Sequence, residues 1–130
     1  MDINIIELAE CISISKNKYP DEIETERLLL RKCDDTDSTN VMYFVCLKEI
    51  EEKIGEVVLI FDGEIWYKIK KEYRNNGYAT EALENILKAS HKRHYLTIED
   101  NNKASKKVAK KLGFKKSKKI GNSNIYRKNT

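Results

Sequence analysis

The chain is short of the residues that usually mark extracellular, metal-bound or low-complexity proteins. It has one proline, five glycines and three cysteines in 130 residues. No repeat, low-complexity segment or interdomain linker is visible. The cysteines, Cys11, Cys33 and Cys46, are odd in number and form no Cys-x-x-Cys pair, and neither His91 nor His94 lies near one of them in the sequence. A disulfide framework and a metal site are therefore not expected. All three cysteines read as small buried apolar residues in a reduced cytoplasm. No apolar run approaches the length needed to span a membrane, and Met1-Asp2-Ile3-Asn4 lacks a basic leader region. These absences predict an unexported cytoplasmic protein with no membrane partner. Neither sign of charge dominates: the net charge is +4 and the pI about 8.8. That balance does not argue for nucleic acid, and the aromatic-rich strand motifs and Gly-x-x-Gly clamp of common RNA modules are missing.

What is present fits one domain with one core. Hydrophobic residues are 40% of the chain and charged ones 35%, with the apolar positions in periodic runs. Residues 1–23 are the least legible and read as an N-terminal extension, in which Ile3, Ile5, Ile6 and Leu8 are apolar. They are expected to fold back over their own sheet or join a second subunit, a homodimer being favoured over a monomer. From residue 24 to 127 the pattern reads as a single core. Strands are predicted over Arg27–Arg31, Val41–Leu47, Ile54–Phe61 and Glu64–Ile69. The last three, joined by short links, must form an antiparallel meander. Ala79, Ala82, Leu83, Ile86 and Leu87 then recur at helical spacing. Tyr95–Ile98 is a strand that returns by crossover to a parallel or neighbouring position. Asn102 is an N-cap for a second helix with Ala104, Val108 and Leu112 as its apolar stripe, and Gly113 ends it. Two weak strands surround Gly121-Asn122. Nine late lysines between Lys103 and Lys119 read as a solvated helix face and a charged hairpin, the alternative being a basic rim for phosphates or an acidic partner.

The most informative stretch is Arg74-Asn75-Asn76-Gly77-Tyr78-Ala79-Thr80. It lies between a strand and a clean amphipathic helix. A helix start presents unpaired N–H groups and the positive end of the dipole, which suits phosphate. Gly77 allows close backbone approach and Ala79 keeps the first turn narrow. The further glycines of a dinucleotide fingerprint and the Gly-Lys-Ser/Thr of a triphosphatase loop are both absent.

Arg-x-x-Gly-x-Ala in this setting resembles the pyrophosphate loop of the GNAT superfamily of acyl-CoA-dependent N-acyltransferases. Three more pieces match in order: Glu26-Arg27-Leu28-Leu29-Leu30-Arg31, Ile54-Gly55-Glu56-Val57, and Asn102-x-x-Ser105 running into Leu112-Gly113-Phe114. The chain looks like the ribosomal-protein N-acetyltransferase branch, lacking the helix pair that usually follows the first strand, since Asp34–Asn40 alone joins the first two strands. The resemblance implies an α/β (α+β) fold, a mixed, mostly antiparallel twisted sheet flanked by helices. It implies acetyl-CoA as cosubstrate, no metal, and direct acetyl transfer to a primary amine on a small molecule, peptide N-terminus or lysine. The coenzyme would lie on Tyr67, Lys68 and Ile69, on the loop Arg74, Asn75, Asn76, Gly77, Tyr78, Ala79 and Thr80, and on Asn102 and Ser105. Glu64 is the candidate base. The family's usual acid, a Tyr on the last helix, falls on Ala109, so Tyr126, Tyr67 or Ser105 stands in. Trp66 reads as core in preference to a lid over the acceptor. The alternative is a non-catalytic acyl-CoA-binding or interaction module.

Overall fold

A computed structural model describes residues 19–33, 39–90 and 92–128. The readings made for Ile3, Ile5, Ile6 and Leu8, for Cys11, for the acidic turn at 34–38 and for His91 lie outside those residues. Five strands, β1 (Glu22–Glu24), β2 (Leu28–Lys32), β3 (Val41–Leu47), β4 (Glu52–Leu59) and β5 (Ile65–Ile69), form an antiparallel sheet in chain order. Helix α1 (Tyr78–Ala89) leads to β6 (Tyr95–Glu99), α2 (Lys103–Lys111), β7 (Lys115–Ile120) and β8 (Ser123–Arg127). The last three strands form a second antiparallel sheet in the order β6-β8-β7. This is the mixed, mostly antiparallel α/β architecture expected. β1 precedes the first strand read from the sequence, and Tyr19 ahead of it is buried in the core.

Alternation along the strands decides which face is inside. In β3, Val41, Tyr43, Val45 and Leu47 are buried, while Met42, Phe44 and Cys46 are half-buried on the opposite face. A bulge re-phases β4: the register passes from Val45 opposite Gly55 to Cys46 opposite Lys53. Ile54 and Gly55 are therefore buried in succession. A Cβ on Gly55 would strike the Lys68 carbonyl and come within 2.8 Å of the Ile69 side chain. Only glycine lets β5 approach β4 this closely. Against the inner face lie Ala82, Leu83 and Ile86 of α1, each 0% exposed. Burying each large aliphatic side chain there contributes about 1.5–3 kcal/mol.

Three expectations are corrected. Trp66 is 59% exposed, not core, because Ile65 and Ile69 take the buried face of β5 and alternation sends Trp66 to the other. Cys33 and Cys46 are only half-buried, one at a strand end and one on the outer face of β3. The apolar stripe of α2 is split: Ala109 and Leu112 enter the core, while Ala104 is exposed and Val108 is half-buried. The return to β6 is parallel and neighbouring, as expected, through a single bridge, Glu64 to Tyr95. β7 is the outer strand of its sheet, exposed along its whole length, with Lys115, Lys116, Lys118 and Lys119 upon it.

The junction of the two sheets is pinned by polar groups. The Gly63 carbonyl accepts the Tyr95 N–H at 3.1 Å and faces His94 Nδ1 at 3.1 Å. His94 Nε2 lies 2.7 Å from Ser90 Oγ, and Ser90 in turn meets the Tyr19 hydroxyl at 3.1 Å. Burial holds the His94 pKa below its ordinary value, with Lys92 adding to the effect and the Gly63 bond opposing it. His94 is thus neutral at pH 7, its Nδ1–H donating to Gly63. The unfolded chain binds this proton more readily, so stability is full above about pH 6.5 and falls as pH drops below it. The thermal midpoint should decline as pH falls below about 6.5, and His94→Gln should flatten that slope while lowering the midpoint at pH 8.

Candidate functional site

After the bridge at Glu64 and Tyr95, β5 and β6 part. Lys70 N donates to Ile54 and Glu64 O accepts from Ile60. By the two-residue period of an antiparallel ladder, the peptide groups of Trp66 and Lys68 also face β4. Those of Tyr67 and Ile69 face the gap. On this geometry the Lys68 backbone is taken by β4, although Lys68 is among the residues lining the cleft.

The gap opens into a cleft of about 620 Å³, within the range of small-molecule sites. β5 supplies Tyr67, Lys68 and Ile69; the loop and first turn of α1 supply Arg74, Asn75, Gly77, Tyr78, Ala79 and Thr80; α2 supplies Asn102 and Ser105. Tyr73, Ala104 and Val108, for which the sequence suggested no such place, also line it, together with Lys107 and Lys111 of the late lysine run. The spacing of Ala104, Val108 and Lys107, Lys111 places them on one helix face, which was read as apolar stripe and solvated charge. Lys68, Arg74, Lys107 and Lys111 give the lining four cations and no carboxylate.

The loop is built to expose backbone. Asn75 and Gly77 have φ of 65° and 79°, both left-handed. Gly77 is the N-cap of α1 and, having no side chain, caps nothing. The first intrahelical bond runs from Glu81 N to Gly77 O at 3.0 Å, so the N–H groups ahead of Glu81 are the helix's orphan donors. Asn76 is held away from the cleft lining: its amide donates to the carbonyls of Tyr73 and Arg74 at 3.2 and 3.1 Å. Arg74 Nε donates to Ile69 O at 2.8 Å, laying the arginine along the cleft wall.

A clamp outside the cleft fixes this loop. Arg27 Nη1 donates to Asn76 O at 2.9 Å and its guanidinium stacks 4.4 Å from the Tyr78 ring centroid. Arg27 Nε and its backbone N–H donate to Glu81 at 2.7 and 2.9 Å, and the Thr25 hydroxyl donates to the same carboxylate at 2.5 Å. Partial burial pushes the Glu81 pKa up, but these donors outweigh it and hold the carboxyl below its ordinary value.

At the β5–α2 side of the cleft, Tyr67 donates its hydroxyl to Ser105 Oγ at 2.9 Å. Burial raises the Tyr67 pKa, and the Ser105 bond only partly opposes this. Asn102 Oδ1 accepts from Ser105 N at 3.0 Å, so Asn102 caps α2 while lining the cleft. The other candidates stand apart. Glu64 lies at the bridge, where it accepts from Thr97 Oγ1 at 2.7 Å. Tyr126 is on β8 opposite Leu96, half-buried against the core, and does not line the cleft. Ala109, 0% exposed, packs in the core.

Among solved structures, the chain is similar to an acetyltransferase from Agrobacterium tumefaciens, with a TM-score of 0.71 and 17% identity, covering 84% of this chain and 94% of that one. It is similar to the ribosomal-protein-S5-alanine acetyltransferase of Vibrio fischeri, at TM-score 0.66 and 17% identity over 82% and 94%. A ribosomal L7/L12 alpha-N-protein acetyltransferase, solved in complex with coenzyme A, matches at TM-score 0.63 and 14% identity over 85% and 96%. At these identities the likeness is one of fold. No curated protein sequence matches. The sequence profile of the acetyltransferase (GNAT) domain matches residues 8–115, and the chain therefore belongs to the GNAT acetyltransferase family.

Proposed function

We propose that this chain transfers an acetyl group from acetyl-CoA to a primary amine, with the coenzyme in the cleft between β5, α1 and α2. The observation that carries the reading is the joining of two unlike ends in one cleft. One end is a helix N-terminus with orphan N–H groups and Arg74; the other is an unpaired strand edge beside Tyr67 and Ser105. A pyrophosphate suits the first end. An amide-bearing chain suits the second, where it would take the place of a missing strand partner along the peptide groups of Tyr67 and the Ile69 N–H.

The coenzyme, when bound, supplies the activated thioester. The residues then have three tasks: to take the ammonium proton, to polarise the carbonyl and to protonate the departing sulfur. Glu64, at the bridge, takes the proton directly or through water. The Tyr67 N–H, aimed into the gap, is the donor for the carbonyl. The Tyr67 hydroxyl, relayed with Ser105, is the acid, in place of the tyrosine that Ala109 replaces. A thiolate has a pKa near 8.5, and Tyr67, raised by burial, keeps its proton until the sulfur needs one. Only residues 33–40 link β2 to β3; we read this as the loss of the helix pair that walls the acceptor side in relatives, and place the chain with the ribosomal-protein acetyltransferases. The buried Ala109 favours the second reading, a non-catalytic acyl-CoA-binding module. Release of free thiol from acetyl-CoA in the presence of an amine panel separates the two.

Gly77→Val introduces a β-branched side chain at φ 79°, and should weaken coenzyme A binding at least about ten-fold by calorimetry. The apoprotein's fold, read by circular dichroism, should persist. Tyr67→Phe should lower kcat about 10²-fold or more with little change in the KM for acetyl-CoA. In the parent, the alkaline fall in kcat should lie above about pH 10, since burial raises Tyr67 above that ordinary value. Glu64→Gln should lower kcat/KM for the amine about 10²-fold or more; an unchanged rate would exclude Glu64 as the base.

A further inference from the structure

The face of β5 opposite the cleft carries an exposed aromatic that the core does not use, Trp66. Trp66 follows Ile65 and precedes Tyr67, so it lies within one residue of the group that lines the cleft, but on the opposite face. The register places Val58 directly across from Trp66, and Met42 directly across from Val58. All three share the outer face, with Val58 and Met42 half-buried and Trp66 59% exposed. Adjacent strands are about 4.8 Å apart, so this apolar row runs about 10 Å from the lip of the gap across three strands. Glu64, two residues from Trp66 on the same face, stands at the head of the row.

Resting on the acetyl-transfer reading, we infer that Trp66, Val58 and Met42 form the acceptor platform, and that the acceptor is an amine with an apolar body. Its ammonium sits at the gap beside Glu64 and the ring of Trp66; its body lies along the row. The charge complementarity is local. An ammonium meets one carboxylate and the negative face of an indole, whereas a second cation 8–10 Å away would lie over valine and methionine. A row of this length takes one bulky apolar side chain or the first two residues of an apolar peptide. Polyamines and amino sugars place charge or hydroxyl groups where the row offers no hydrogen-bond partner, and desolvating them there is unfavourable. Trp66 is on this account a specificity-determining residue.

Trp66 is the only tryptophan, so its fluorescence reports the platform without turnover. The chain, saturated with coenzyme A as shown by a thermal shift, is titrated with 2-phenylethylamine, leucyl-leucinamide, spermidine and glucosamine. The first two should change Trp66 emission saturably and the last two should not. With acetyl-CoA, Trp66→Ala should raise KM for the first two about ten-fold or more, with kcat and the KM for acetyl-CoA changed less than about three-fold. Trp66→Leu, which keeps an apolar surface, should recover part of the loss. Equal responses to spermidine and glucosamine, or an unchanged amine KM in Trp66→Ala, would overturn the platform while leaving acetyl transfer intact. Absence of any shift with coenzyme A would instead bring down the acetyl-transfer reading, and the platform with it.

Discussion

The carbonyl oxygen of Gly63 anchors the junction of the two sheets. It accepts the Tyr95 N–H and the His94 ring N–H together. A Cβ on Gly63 would come within 2.8 Å of the Arg93 carbonyl, and its φ of 108° is one that L-residues rarely adopt. The junction is therefore tight at one point and unpaired beyond it. Because pairing starts at Glu64 and Tyr95 and then stops, the edge of β5 keeps backbone groups without a strand partner, with Ile69 O taken by Arg74. Such an edge is unfavourable unless water or a ligand satisfies it. The cleft follows from that constraint, and α2 forms its other wall.

A second set of bonds fixes the phosphate-loop end of the cleft. Glu81, in the first turn of α1, collects Thr25 and both the backbone and side chain of Arg27. A carboxylate there is also favoured by the helix dipole. Arg27 then reaches on to Asn76 and Tyr78. The start of β2, the loop and the helix consequently move as one body. Preorganisation of this kind lowers the ordering cost of binding.

Legibility in the sequence followed the range of the interactions. β3 was read to the residue, because Val-Met-Tyr-Phe-Val-Cys-Leu is a continuous run of strand formers between polar turns. The loop was legible because its glycine, its position before a helix and its arginine are all local. The Arg27–Glu81 pair spans 54 residues and left no local trace. Tyr67 and Ser105 were each singled out, but their bond across 38 residues was not. Trp66 was misplaced because Ile-Trp-Tyr-Lys-Ile fits either face of a sheet until the buried side is known. The α2 stripe was misread because a nine-residue helix can turn adjacent small residues to two different neighbours, here the core and the cleft.

The lysines of β7 carry a consequence for the chain among copies of itself. A sheet's outer strand shows a row of free backbone groups that can recruit the same strand of another molecule. Here that strand bears Lys115, Lys116, Lys118 and Lys119, exposed throughout. Two such strands brought side by side would set ammonium groups against one another at a strand spacing of about 4.8 Å. The charge run that contributes little to the core thus guards this edge against cross-β association, and the protection weakens as salt screens it.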